Sequence, residues 1–178
     1  MKDVFERVKQ FIKPINGLIL FLVLSFLVVT LWKLFNLDNL LHDFLFPVNR
    51  KLILFESPIN YFIVSKILSI GSTFKIDTII FNNGYSLIED PLCTGLKQIV
   101  QFSIIMIFYP GPIKNKLWYI PGAWLMLIIA AIIHLTILSA ILARFPGSYD
   151  VFHEYISRWF FFGIFFLLWI FWDEKFVK

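Results

Sequence analysis

Long apolar runs separated by short polar stretches dominate the pattern of this chain. The runs cover Ile15–Leu37, Leu96–Tyr109, Trp118–Leu142 and Tyr155–Trp172. A helix needs about 20 mainly apolar residues to cross a hydrocarbon core of about 30 Å. The pattern therefore predicts an all-α integral membrane protein, a bundle of about four transmembrane helices.

Residues 38–92 give a more mixed pattern, because charged residues and prolines interrupt the apolar positions. Ile59–Ile70 is apolar but short and contains Lys66, which favours an interfacial or re-entrant helix. A full span built from Leu52–Ile70 is the alternative, and a count of five to six spans stays open. We expect the whole of residues 38–92 to be extracytoplasmic or interfacial.

Part of this region alternates in the manner of β-strands. Phe74–Phe81 is rich in β-branched residues, Asn83–Gly84 is a hairpin-type turn, and Tyr85–Ile88 could form the return strand. An open strand pair cannot lie exposed in lipid, because its edge N–H and C=O groups would lack partners. The pattern predicts a small hairpin in water, before the helix that begins near Leu96.

Composition supports a membrane location. Hydrophobic residues make up 59% of the 178 residues, whereas a soluble domain is typically nearer ~45–50% apolar. The length allows one integral membrane domain, residues 1–178, and no separate soluble domain.

The distribution of basic residues orients the predicted bundle. Residues 1–14 form a basic, amphipathic segment that we expect on the cytoplasmic membrane surface. With four spans, this segment, the Lys114–Lys116 loop and the C-terminal tail share one side, which the positive-inside rule identifies as the cytoplasm. Cys93 and the Arg144–His153 loop then share the extracytoplasmic face.

The only cysteine, Cys93, directly precedes the second apolar run. A helix N-terminus favours a thiolate, because its unpaired N–H groups carry partial positive charge. Lys97 and Gln101 follow at four-residue steps, so the three polar side chains share one helix face. We expect this face to turn towards other helices or a water-filled cleft. The competing interpretation is an inert thiol buried as a small hydrophobe.

A thiolate nucleophile needs a proton acceptor and donors for the developing oxyanion. His153 is the candidate general base or acid, because an imidazole titrates near neutral pH. Arg144 could stabilise the thiolate or the oxyanion. His134, inside the third span, is a third candidate, because ionisable groups within a membrane are often functional. Each has a plainer interpretation: a solvated loop histidine, an arginine on lipid phosphate, and a neutral histidine bonded to a neighbouring helix.

Other chemistries have less support. The only histidines, His42, His134 and His153, show no recognisable zinc-ligand spacing. A single cysteine excludes a disulfide within the chain and a cysteine metal cluster. No P-loop or dinucleotide fingerprint is present. The sequence therefore predicts no metal, no cofactor and no nucleic-acid partner.

A family motif contains the cysteine. Cys93-Thr94-Gly95-Leu96-Lys97 resembles the Cys-(Ser/Thr)-Gly-(Leu/Ile)-(Arg/Lys) motif of the exosortase/archaeosortase family. The later Phe152-His153-Glu154, the density of spans and the preceding hairpin-like segment are also similar to that family. The likeness covers residues 74–172 and is closest to the short exosortase-like proteins of Bacteroidetes-type bacteria.

The resemblance implies a cysteine protease and transpeptidase of the bacterial inner membrane, active on the extracytoplasmic side. Its substrates would be secreted proteins with a C-terminal sorting signal, made of a short motif, a transmembrane helix and a basic end. Cys93 would cleave the motif through a thioester acyl-enzyme and transfer the protein to an amine of a surface lipid or glycan. His153 matches the family histidine, and membrane lipids would surround the enzyme.

The family arginine matches less well. The family usually carries an Asn-x-x-Arg pattern in the helix where this chain has Ile133–Leu138. His134 falls near the expected asparagine, and the nearest arginine, Arg144, comes two turns later. Either Arg144 or His134 takes the role, or this chain is catalytically altered.

Two other functions are alternatives. A non-catalytic exosortase-like protein would bind sorting-signal helices, or support envelope or exopolysaccharide assembly, and would not need Cys93. A small-molecule or lipid transporter is disfavoured, because the chain has no inverted repeat and no pair of helices broken by glycine or proline.

Overall fold

The computed structural model describes the backbone of residues 2–88 and 94–177, and the side chains of residues 17–39, 44–88 and 94–177. Three subjects of the sequence predictions lie outside the described residues. They are Cys93, the His42 side chain and the side chains of the membrane-surface segment 1–14.

The described chain is mainly helical and carries one small sheet. Its helices are α1 (Lys2–Leu34), α2 (Leu37–Phe62), α3 (Leu96–Phe108), α4 (Ile113–Arg144), α5 (Tyr149–Val151) and α6 (Ser157–Trp172). Its strands are β1 (Ser72–Lys75), β2 (Thr78–Phe81) and β3 (Ser86–Ile88). Single π-helical turns continue α2 over Ile63–Ile67, join α5 to α6 over Phe152–Ile156, and continue α6 over Asp173–Val177.

Within the described residues, three helical stretches are long and apolar enough to cross a membrane. They are Gly17–Leu34, Ile113–Arg144 and Pro146–Val177, and they correspond to the first, third and fourth predicted spans. Helix α3 has 13 residues and is about 20 Å long, which is shorter than a hydrocarbon core of about 30 Å. The protein is thus a helical chain with three membrane-spanning candidates, and the count of four spans stays a prediction.

An aromatic core holds α1, α3, α4 and α6 together. Phe21 of α1 stacks on Trp169 of α6, with 4.9 Å between ring centroids. Phe102 of α3 packs on Phe165 of α6 at 5.4 Å. All four side chains are buried, and such aromatic pairs contribute about 0.5–1.5 kcal/mol beyond their area burial. The core therefore fixes α1, α3 and α6 side by side beneath the site described below.

Helix α2 departs most from the sequence prediction. The short helix expected at 59–70 is the end of a helix that begins at Leu37 and, with its π-helical turn, reaches Ile67. Pro47 and Pro58 lie inside it. The prediction counted these prolines among the residues that interrupt the apolar positions, and the helix continues through both.

Hydrogen bonds from a buried polar face explain why α2 tolerates its prolines. Thr94 Oγ1, just before α3, donates to Asn49 Oδ1 at 2.9 Å. Asn60 Nδ2 donates to Ser139 Oγ at 3.2 Å. Thr136 Oγ1 shares its one proton between the Ile132 carbonyl at 2.8 Å and Asn60 Oδ1 at 3.2 Å. Both asparagines are almost fully buried, and a buried polar group without a partner costs about 1–3 kcal/mol. These bonds hold α2 against the start of α3 and the last third of α4.

The predicted hairpin is a three-stranded antiparallel sheet in the order β1-β2-β3. Ile76, with φ 54°, and Asp77 break the predicted strand Phe74–Phe81 into β1 and β2. The left-handed residue permits a tight turn that alternation of side chains cannot reveal. The β2–β3 pair matches the predicted hairpin, with Gly84 at φ 87° in its turn.

The sheet packs on the C-terminal end of α4. Asn83 Nδ2 donates to the carbonyl oxygens of Leu142 and Ala143 at 3.0 and 2.9 Å. The last carbonyls of a helix lack partners within the helix, so the hairpin turn caps α4. Ile79 and Leu87 add apolar contacts in one cluster with Leu142. We call this end of the molecule the sheet end.

Candidate functional site

A cleft of about 770 Å³ opens between α1 and α6. Side chains of α3, α4 and the His153–Phe165 stretch complete its lining. Four of the polar residues selected from the sequence line this one cleft: Lys97, Gln101, His134 and His153. Three separate segments of the chain therefore meet at a common polar surface.

The level along α4 at which α3 begins, here called its depth, decides which other residues can reach the cleft. A Cβ at Gly95 would lie 3.0 Å from Ala131 Cβ and 3.5 Å from the Leu127 carbonyl oxygen. Helix α4 continues past Ala131 to Arg144, roughly 20 Å further at 1.5 Å per residue. Lys97 and Gln101 thus lie beside the middle of α4 and well below its sheet end.

Arg144 lies at that far end of α4, is exposed, and does not line the cleft. Arg158 lines the cleft instead. It follows Ser157, whose hydroxyl is hydrogen-bonded to His134. Sequence reasoning missed Arg158. A signal was present, because Arg158 is the single charged residue inside the apolar run Tyr155–Trp172, and a charge within a span is commonly functional.

Hydrogen bonds fix the orientation of the His134 ring. His134 Nε2 lies 2.6 Å from Ser157 Oγ, and Ser157 Oγ donates to the Phe152 carbonyl at 3.0 Å. A hydroxyl has one proton to donate, so Ser157 Oγ must accept from Nε2–H. In the neutral ring, Nδ1 is then the acceptor, and this buried atom has no hydrogen-bond partner within the described chain.

His153 lies in the π-helical turn Phe152–Ile156. Its ring stacks on Tyr149, with 5.6 Å between centroids and 15° between planes, and the residue is exposed. Single π-helical turns occur frequently at functional sites. The cleft therefore has a buried imidazole, His134, and a solvent-accessible one, His153.

Lys97 forms an ion pair at the start of α2. Its Nζ lies 2.7 Å from Asp38 Oδ1 and 3.0 Å from Oδ2, and Trp32 Nε1 donates to Oδ1 at 2.8 Å. Burial alone would raise the pKa of Asp38, but the hydrogen bonds from Lys97 and Trp32 outweigh it and leave the pKa below its usual value. Asp38 therefore stays ionised and compensates the charge of Lys97.

No group of three or more histidine, cysteine, aspartate or glutamate side chains in the described part of the chain is arranged to hold a metal ion. Comparison with protein-family models, with curated proteins and with solved structures finds no match for this chain. The resemblance to exosortases therefore rests on the motif residues themselves.

Proposed function

We propose that this protein is a membrane-embedded cysteine protease and transpeptidase that cleaves the C-terminal sorting signal of secreted proteins. The observation that carries the proposal is the meeting of Lys97, Gln101, His134 and His153 in one cleft. Cys93 precedes Thr94 in the sequence, and α3 begins two residues after Thr94. The nucleophile thus belongs to the segment that leads into the helix bearing Lys97 and Gln101.

In the proposed reaction, His153 takes the thiol proton of Cys93 as the sulfur attacks the carbonyl carbon of the sorting motif. The new C–S bond forms while the carbonyl π electrons move onto oxygen. Collapse of this intermediate restores the C=O bond and breaks the C–N bond. The imidazolium of His153 returns its proton to the leaving amine, and a thioester remains on Cys93.

Transfer repeats the same steps with an incoming amine. The amine nitrogen of a lipid or glycan attacks the thioester carbon and loses a proton to His153. The C–S bond then breaks, and the sulfur recovers a proton from the imidazolium. The new amide links the secreted protein to its acceptor without an external oxidant or reductant.

Arg158 is proposed to stabilise the oxyanion in both steps. A guanidinium keeps its charge at every physiological pH and donates hydrogen bonds in a fixed fork. Arg158 lines the cleft, whereas Arg144 ends α4 roughly 20 Å beyond the level of Gly95. Arg158 therefore takes the role that the sequence alone gave to Arg144. His134 Nδ1 would accept a backbone N–H of the sorting motif and orient it.

The sheet end is proposed to face the extracytoplasmic side of a bacterial inner membrane. An open three-stranded sheet needs water or protein around its edges. Lys114–Lys116, predicted as a loop, forms part of the first turns of α4, at the end opposite the sheet. Basic loops favour the cytoplasmic side. This orientation would bring secreted substrates to the cleft after their export.

Processing of a reporter tests the proposal. The reporter is a secreted protein that ends in a short motif, an apolar helix and a basic tail, expressed with this chain. We expect Cys93→Ala and Cys93→Ser to abolish cleavage while the protein still folds. Arg158→Gln should slow cleavage by about 100-fold, as for loss of one oxyanion donor, and Arg144→Gln should change it less than twofold. Full cleavage by Cys93→Ala would overturn the proposal.

A non-catalytic signal-binding protein is the second candidate. The walls of the cleft favour it, because Phe26 of α1 and Trp159 of α6 are 75% and 74% exposed and could pack against an incoming apolar helix. This function predicts a signal helix that stays bound and uncut. It also predicts that Cys93→Ala has no effect on the cell.

A further inference from the structure

We propose that the cleft binds an anionic phospholipid with a hydroxyl-bearing head group, of the phosphatidylglycerol type, drawn from the surrounding bilayer. The inference goes beyond the proposed function, because it would hold even if Cys93 performed no chemistry. Three properties of the cleft carry it: positive charge that no described residue compensates, an apolar wall open to lipid, and buried acceptors that have no partner among the described residues.

Positive charge is the first property. Of the described residues that line the cleft, Lys33, Lys97 and Arg158 are cationic and none is acidic. Asp38 compensates Lys97, whereas Lys33 and Arg158 form no ion pair with any described residue. Two exposed cations at a membrane-facing cleft attract an anion, and the arginine fork matches the oxygens of a phosphate.

The apolar wall is the second property. Leu22, Phe26 and Val29 of α1 line one side of the cleft and are more than two-fifths exposed. Trp159 and Phe162 of α6 line the other side. Outside the protein these side chains meet acyl chains, so a lipid can enter sideways without crossing a polar barrier. The cleft thus places the cations Lys33 and Arg158 beside an apolar surface, which is the arrangement that an amphiphilic ligand requires.

Buried acceptors are the third property, and they select the head group. The atoms His134 Nδ1 and Gln98 Oε1 are buried and have no hydrogen-bond partner in the described part of the chain, and the same is true of the Ser25 hydroxyl. All three residues line the cleft. A buried acceptor is costly unless a donor reaches it. The glycerol hydroxyls of phosphatidylglycerol are such donors.

Other common head groups fit less well. Phosphatidylcholine has no N–H or O–H in its head group to donate to His134 or Gln98. Phosphatidylethanolamine has donors, but its ammonium brings a further positive charge beside Lys33 and Arg158. A free phosphate would satisfy the cations and leave the apolar wall uncovered. An anionic lipid with hydroxyl donors meets all three properties at once.

Native mass spectrometry of the full chain tests this inference. The protein carries Cys93→Ala, so the result is independent of catalysis, and it is equilibrated with equal amounts of the glycerol, ethanolamine and choline phospholipids with identical acyl chains. We expect phosphatidylglycerol to be retained about tenfold over the other two, as for one charge-assisted hydrogen bond. Lys33→Gln and Arg158→Gln should each remove about that tenfold preference.

Lys75→Gln is the matched control, because Lys75 is exposed on β1 and does not line the cleft. It should change retention less than twofold, and thermal unfolding should show that all variants remain folded. Equal retention of the three lipids, a preference for phosphatidylethanolamine, or an unchanged preference in both Lys33→Gln and Arg158→Gln would overturn the inference. Displacement of the bound lipid by a signal helix would show that both share the cleft and would support it.

Discussion

Replacing Gly95 with alanine tests how closely the start of α3 packs against α4. Gly95 precedes the first turn of α3 with φ 73°, in the left-handed region. An alanine Cβ there would lie 3.0 Å from Ala131 Cβ, and Ala131 is fully buried. The change therefore adds backbone strain and a close contact that only a shift of the helices can relieve.

The two costs can be estimated separately. A left-handed conformation costs a residue with a Cβ about 1–2 kcal/mol. Overpacking a well-packed interior adds about 1–3 kcal/mol. We expect Gly95→Ala to lower the free energy of unfolding by about 2–5 kcal/mol, the sum of the two costs.

Two other glycines separate these costs. Gly84 has φ 87° and nothing within 4 Å of an added Cβ, so Gly84→Ala should cost only the backbone term of about 1–2 kcal/mol. Gly163, inside α6, also has nothing within 4 Å, and Gly163→Ala should stabilise by about 0.5–1 kcal/mol. Reversible unfolding in mixed detergent micelles, followed by circular dichroism, measures all three.

A double-mutant cycle with Ala131→Gly isolates the contact itself. Removing the Ala131 methyl should recover about 1 kcal/mol of the Gly95→Ala loss, within the usual range for touching residues. If Gly95→Ala is no more destabilising than Gly84→Ala, or if Ala131→Gly recovers nothing, the depth assigned to α3 is wrong. The exclusion of Arg144 from the cleft would then fail with it.

Three further changes test other contacts. Asp38→Asn should cost at most about 1 kcal/mol of folding free energy, because the pair with Lys97 is partly exposed. The pKa of Asp38 is lowered, so the stability that its carboxylate contributes is present at neutral pH and is lost as pH falls through that lowered pKa. Asp38→Asn should therefore flatten the acid side of a stability–pH curve. Asn60→Ala removes the buried bond to Ser139 and the bond that Thr136 shares with Asn60, and it should cost about 1–3 kcal/mol in chemical unfolding. Tyr109→Phe removes the 2.7 Å bond to the Asp173 carboxylate and should cost about 1.5–3 kcal/mol by the same method. No loss in the last two variants would contradict the buried hydrogen bonds at each site.

The helices were predictable where apolar residues run without interruption. The runs beginning at Ile15, Leu96, Trp118 and Tyr155 each overlap a helix of the structure, although α1 and α4 begin before their runs. Helix α2 could not be predicted in full, because prolines and charged residues interrupt its apolar positions. Hydrogen bonds with Thr94 and α4, which are distant in sequence, hold it in place. In the same way, one left-handed residue, Ile76, divides a stretch that alternation alone presents as one strand.

Four residues that line the cleft could be selected from the sequence, but the level of α3 along α4 could not. Lys97 and Gln101 follow from helical spacing. His134 follows from the rarity of ionisable groups inside a span, and His153 from the need of a thiol nucleophile for a general base. Arg144 was chosen because the sequence places the ends of both helices at one face. The level of α3 against the middle of α4 depends on the packing of Gly95, which no local pattern encodes, and that packing favours Arg158.

The pH dependence of alkylation at Cys93 tests the central claim most directly, because the chain has one cysteine. Labelling rates are compared in wild type, Arg158→Gln and Arg144→Gln from pH 5 to 9. We predict a wild-type midpoint well below the ~8.5 of an ordinary thiol. Arg158→Gln should raise it by about one unit or more, as for loss of a nearby opposite charge, and Arg144→Gln should leave it unchanged. A wild-type midpoint near ~8.5, or a shift in Arg144→Gln alone, would contradict the account.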